Sequence, residues 1–122
     1  MPHIIIHHSS DINSQLIITF MAKLQGALVE IKEGKFSLEA CKSRALSFDK
    51  FISGTKSQDQ ASFIHIELKI LEGREEAIKQ RVANDFLAIS KDFIYSLNLK
   101  SRKDISIEIT ELDKKTYQQI TI

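Results

Sequence analysis

The chain has 122 residues, 43% of them hydrophobic and 27% charged, which suits one domain around a single apolar core and excludes a disordered segment. Seventeen Lys and Arg against sixteen Asp and Glu leave a formal charge of +1, so the bulk charge offers nothing to draw in nucleic acid or an anionic membrane. A lone cysteine, Cys41, excludes an intrachain disulfide and fits a reducing compartment. Met1-Pro2-His3 carries no basic leader and no apolar run approaches the length of a bilayer span, so the expected location is the cytoplasm.

Pro2 is the only proline, and Ile4-Ile5-Ile6 after it reads as a strand covered on both faces. Ser9-Ser10-Asp11 offers side-chain oxygens for a helix start, and Leu16, Phe20, Leu24, Leu28 and Ile31 then recur at helical spacing towards Gly34. A second strand is expected from about Ser43 to Ile52, with Ala45, Phe48 and Ile52 as apolar positions, before the turn-like run Ser53 to Ser57. Phe63 to Ile70 alternates strictly, with Ile64, Ile66, Leu68 and Ile70 on one face and His65 among the charged residues of the other. After Gly73 a long helix runs through Ile78, Val82, Phe86, Ile89, Phe93 and Leu97, and Ile105 to Ile109 alternates again.

This order gives two β-α-β halves, about 1–56 and 57–112, followed by a C-terminal segment of about 113–122. A helical crossover implies parallel pairing within each half, so the expected fold is α/β: a four-stranded sheet with both helices on one face. Isoleucines on both faces of the first strand would leave apolar surface on the open side, for which a symmetric partner subunit is the economical cover. The C-terminal segment, with Tyr117, Ile120 and Ile122, reads as a frayed end or as an arm laid on a neighbour.

Two features point to chemistry. Pro2 is either an ordinary strand-initial residue or, once Met1 is removed, a secondary amine on a buried strand whose pKa burial and nearby cations would lower. An amide nitrogen acylated by Met1 has no usable basicity, so the second reading requires that removal. The cations are Lys42 and Arg44 at the start of the second strand, and Arg74, just after Gly73 at the start of the second helix. A guanidinium there opposes the helix dipole, and together with the first-turn amides would suit a carboxylate.

Pro2-His3, Lys42-Ser43-Arg44, Phe63-Ile64-His65 through Leu68-Lys69-Ile70 to Gly73-Arg74, and Ile107-Glu108-Ile109 with Glu111-Leu112 together resemble the 5-carboxymethyl-2-hydroxymuconate Δ-isomerase family of the tautomerase superfamily. The resemblance covers nearly the whole chain. It implies a homotrimer whose sheets form a central barrel, Pro2 as catalytic base, and Lys42, Arg44 and Arg74 holding substrate carboxylates. The implied reaction ketonises an unsaturated 2-hydroxy di- or tricarboxylate from aromatic-ring degradation. It is formally an intramolecular oxidoreduction on a small molecule, with no metal or organic cofactor. At the first position of the basic pair the family carries arginine. Lys42 keeps the charge without the planar fork, which bears on the substrate more than on the proton chemistry. A keto–enol tautomerase of another substrate and a non-catalytic trimeric binding or scaffold protein are the alternatives.

The histidines do not suggest a metal centre: His7 and His8 point to opposite faces of a strand, while His3 and His7 share a face without a carboxylate cluster. Cys41 has basic neighbours but no paired base, and reads as an inert thiol.

Overall fold

The computed structural model describes residues 1–122. In chain order it contains β1 (His3–Ser9), α1 (Ser14–Glu30), β2 (Lys42–Phe48), a small hairpin of β3 (Ile52–Ser53) and β4 (Lys56–Ser57), β5 (Ala61–Leu71), α2 (Glu76–Ser96) and β6 (Arg102–Leu112). The main sheet has the order β2-β1-β5-β6. As expected from the crossovers, β1 pairs with β2 and β5 with β6 in parallel, and an antiparallel β1–β5 pair joins the halves.

The strict alternation of β5 sets the core. Ile64, Ile66, Leu68 and Ile70 are fully buried, level with Ile4 and Ile6 of β1. Over them lie Ile17, Phe20, Leu24 and Leu28 of α1, and Val82, Phe86 and Ile94 of α2, on four-residue rows that bring the two helices together. Phe20 of α1 stacks on Phe93 of α2 with ring centroids 4.3 Å apart. Ser90 is the polar member of the α2 row, and its hydroxyl donates to the Phe86 carbonyl at 2.7 Å, so its burial leaves no orphan group.

Several boundaries depart from the sequence reading. The helix cap is Asn13, whose side chain accepts from the Gln15 amide; Ser9 belongs to β1 and its hydroxyl bonds Asp11 and the Phe63 amide instead. That shift leaves Leu16 exposed, with Ile17 in the core, and α1 ends at Glu30, with Ile31 as its C-cap and a short 3-10 turn, Lys32–Gly34, after it. β2 stops at Phe48, so Ile52 stands in the hairpin and is 77% exposed rather than a core position. Isoleucines do lie on both faces of β1, with Ile5 on the open face between Arg44 of β2 and Glu67 of β5 while Ile4 and Ile6 point at the helices. The open face mixes these charges with apolar Ile5, Leu46, Phe48 and Phe63.

Candidate active site

Pro2 is buried at the head of β1, where its carbonyl accepts the Lys42 amide at 3.0 Å and so extends the parallel β1–β2 ladder by one bond. Its lack of an N–H costs nothing at a strand's first position. Met1 ahead of it is partly buried, and its amine stands well enough within a cationic neighbourhood to be perturbed. Burial first, then the charges of Arg74 and Lys42, hold its pKa below the ordinary value, with Cys41 acting the other way. Arg74 and Lys42 are the cations that act on the amino terminus.

Arg74 does not join the first-turn amides of α2. It precedes the N-cap, Glu75, and turns away: Nε donates to the Gly34 carbonyl at 2.7 Å and Nη1 to the Leu71 carbonyl at 3.3 Å. The guanidinium carbon lies 4.1 Å from the Phe36 ring centre. Carbonyl oxygens and an aromatic face stabilise a cation, whereas the positive end of a helix does not, which accounts for the turn. Gly73 makes the bend, with φ at 114°, a region that suits glycine. An open pocket of about 660 Å³ lies against Arg74, between the Gly34–Lys35 turn, the loop before α2, and Lys114. Arg74 lines it; Pro2, Lys42 and Arg44 do not.

Lys42 and Arg44 share the open face of β2, both exposed, with Lys42 level with His3 and Arg44 with Ile5. Arg44 is tied to His3: Nη1 lies 3.3 Å from the ring Nδ1. The other ring nitrogen of His3 lies 2.9 Å from the Tyr117 hydroxyl. Neither His3 nor Tyr117 stood out in the sequence as functional. His3 had a faint signal, being next to Pro2 and on the face of the basic pair, and Tyr117 had none.

The remaining candidates are quiet. Cys41 donates to the Ser37 carbonyl at 3.4 Å, and burial raises its pKa, the opposite of an activated thiolate. His8 is buried towards the helices and bonds the Ser9 carbonyl through Nδ1, whereas His7 packs against Phe48 on the other face. His65 lies beside Ser106 and Glu108 on the open face. No helix is long and apolar enough to cross a membrane.

A four-stranded sheet of this order, with both helices on one side, is a tautomerase-like fold. Similar solved structures include a 5-carboxymethyl-2-hydroxymuconate isomerase from Deinococcus radiodurans R1, with TM-score 0.85 and 19% identity over 99% of this chain and 90% of that one. A 5-carboxymethyl-2-hydroxymuconate delta-isomerase aligns with TM-score 0.83 and 18% identity over 100% and 89%. A fused 4-OT, described as a wild-type symmetric trimer, aligns with TM-score 0.69 and 13% identity over 98% and 92%. Identities this low speak for the fold alone. The family model for 5-carboxymethyl-2-hydroxymuconate isomerase matches residues 2–122, and the chain belongs to that family. No curated protein sequence matches the chain significantly.

Proposed function

We propose that this protein ketonises an unsaturated 2-hydroxy di- or tricarboxylate of the 5-carboxymethyl-2-hydroxymuconate type, with the Pro2 amine as its base once Met1 is removed. Arg74, Lys42 and Arg44 hold the substrate's carboxylates, and the working form is a cytoplasmic homotrimer without a cofactor. Family membership supports the reaction class. The observation that carries the assignment of the base is the place of Pro2, buried at the head of β1 with its carbonyl on the Lys42 amide and with Arg74 and Lys42 as the cations nearest the amino terminus.

In this scheme the neutral Pro2 nitrogen takes the proton of the 2-hydroxy group and returns it to a distant carbon of the conjugated chain. Negative charge grows on the 2-oxygen as the proton leaves, and nearby cations stabilise it. Arg74 has its Nε and Nη1 fixed on carbonyls, which leaves Nη2 to meet a carboxylate in a set orientation. Lys42 adds a point charge without a fork, which favours a substrate whose carboxylate there is not read in two-point fashion.

Preparations with and without Met1, checked by mass spectrometry, test the assignment on a 2-hydroxymuconate-type dienol. The processed form turns over and the Met1 form is nearly inert, although both fold alike, because the amide lone pair is delocalised into its carbonyl. The kcat/KM of the processed form rises with pH through one pKa below that of an ordinary proline amine, since the cations and burial disfavour the protonated form. Equal activity from both forms removes Pro2 as the base, and inactivity of both favours the scaffold reading.

A further inference from the structure

After β6 the chain folds back on itself. The amides of Thr116 and Tyr117 donate to the Asp113 carbonyl at 3.2 and 3.0 Å, and this turn brings Tyr117 across to the head of β1 in its own chain. The tyrosine ring meets His3 edge-on, with centroids 5.9 Å apart and planes at 78°, and its hydroxyl lies 2.9 Å from His3 Nε2. On the other side of the imidazole, Nδ1 faces Arg44 Nη1 at 3.3 Å, the only side-chain tie Arg44 has.

Donor chemistry fixes the direction of this chain. A guanidinium only donates, so His3 Nδ1 must accept. A neutral imidazole with Nδ1 as acceptor carries its proton on Nε2, and that N–H donates to the Tyr117 oxygen. The charges facing His3 are Arg44 and Lys42 of β2, Lys69 of β5 and the amino terminus, all positive; burial acts with them to keep the ring neutral. Protonating Nδ1 would remove the acceptor and set a cation against Arg44.

We propose that Tyr117 and His3 are positioning residues for Arg44: the Tyr117 hydroxyl and ring edge fix the orientation of the His3 imidazole, and His3 aims the guanidinium at a substrate carboxylate. The proposal rests on the isomerase reading and deepens it. It gives Arg44, rather than Lys42, the oriented carboxylate contact, and it places the C-terminal segment on its own subunit as part of the site.

The tautomer is read directly from the 15N shifts of His3. An Nε2-protonated ring is expected in the wild-type protein, and an Nδ1-protonated wild-type ring overturns the proposal. Function is read in two ways. In processed enzyme, Tyr117→Phe raises KM for a carboxylated dienol roughly three- to tenfold, the scale of one hydrogen bond, and leaves kcat within about twofold. The same substitution adds nothing in an Arg44→Ala background, since its whole effect passes through that residue. His3→Asn, whose amide oxygen replaces Nδ1, keeps KM below that of His3→Leu. Calorimetry with adipate, a saturated dicarboxylate, reports the same weakening without turnover. Inactivity of the processed wild-type enzyme would strike the isomerase reading and leave the adipate and 15N results standing. Unchanged adipate affinity in Tyr117→Phe, or an equal loss in the Arg44→Ala background, overturns the positioning role.

Discussion

At Arg74, two carbonyl oxygens and the face of Phe36 surround a guanidinium that has no carboxylate partner in its own chain. Such a residue is held in place before any ligand arrives, so little side-chain entropy is lost on binding. Replacing it removes both the prepared donor and two structural bonds. Arg74→Ala is expected to lower kcat/KM on a carboxylated enol by roughly ten- to a hundredfold, the range of a charge-assisted hydrogen bond of about 1.5–3 kcal/mol. Its denaturation midpoint falls modestly because the Gly34 and Leu71 carbonyls lose their donor. Full kcat/KM in the variant would reduce Arg74 to a purely structural residue. The sequence marked Arg74 through the oddity of a cation before a helix, but its partner Gly34 is forty residues away and reverses the inference about where the guanidinium points. His3 and Tyr117 are separated by 114 positions, and no local pattern announces such a pair.

The stretch between α1 and β2 sets the wall behind Arg74. A side-chain carbon built on Gly34 would fall 2.2 Å from the Phe36 ring, so any larger residue there must displace that ring, and Phe36 in turn carries the guanidinium. Gly34→Ala is therefore expected to destabilise the fold by about 1–3 kcal/mol through overpacking. It should also raise KM for carboxylated substrates, although it alters no charge. Urea denaturation with parallel kinetics checks both, and an unchanged midpoint would show that the ring has room to move. Among the elements, the buried face of β5 was readable because its period-two pattern faces one buried layer and one open one, although the strand starts two residues earlier, at Ala61. The start of α1 was not, because three residues with capping chemistry stand in a row and tertiary contacts decide their use: Ser9 is held in the sheet by Phe63. The end of β2 was misread for a similar reason, since Ile52 belongs to a hairpin whose Ser53 is anchored on Asp104 and Arg102 of the far strand.

For the whole molecule, the mixed open face bears on what holds subunits together in the proposed trimer. Arg44, Glu67, Lys69 and Glu108 contribute both signs of charge there, beside apolar Ile5, Leu46, Phe48 and Phe63. Contacts between charged groups near a surface weaken with added salt. Sedimentation equilibrium at micromolar concentration is expected to give three chains per particle, with dissociation favoured at high ionic strength; a monomer at low salt would remove the trimer from the proposal. Within the chain, the order β2-β1-β5-β6 reads the same from either end, with β1 and β5 as the two centres of an approximate internal twofold. The halves are alike in architecture, yet the proposed mechanism draws its amine from only one of them. Where the first half begins with Pro2, the second begins at Ala61 inside a continuous peptide, whose nitrogen is an amide. On the proposed mechanism, then, a fold with two equivalent ends offers a single working one, and the second half serves as its scaffold rather than its duplicate.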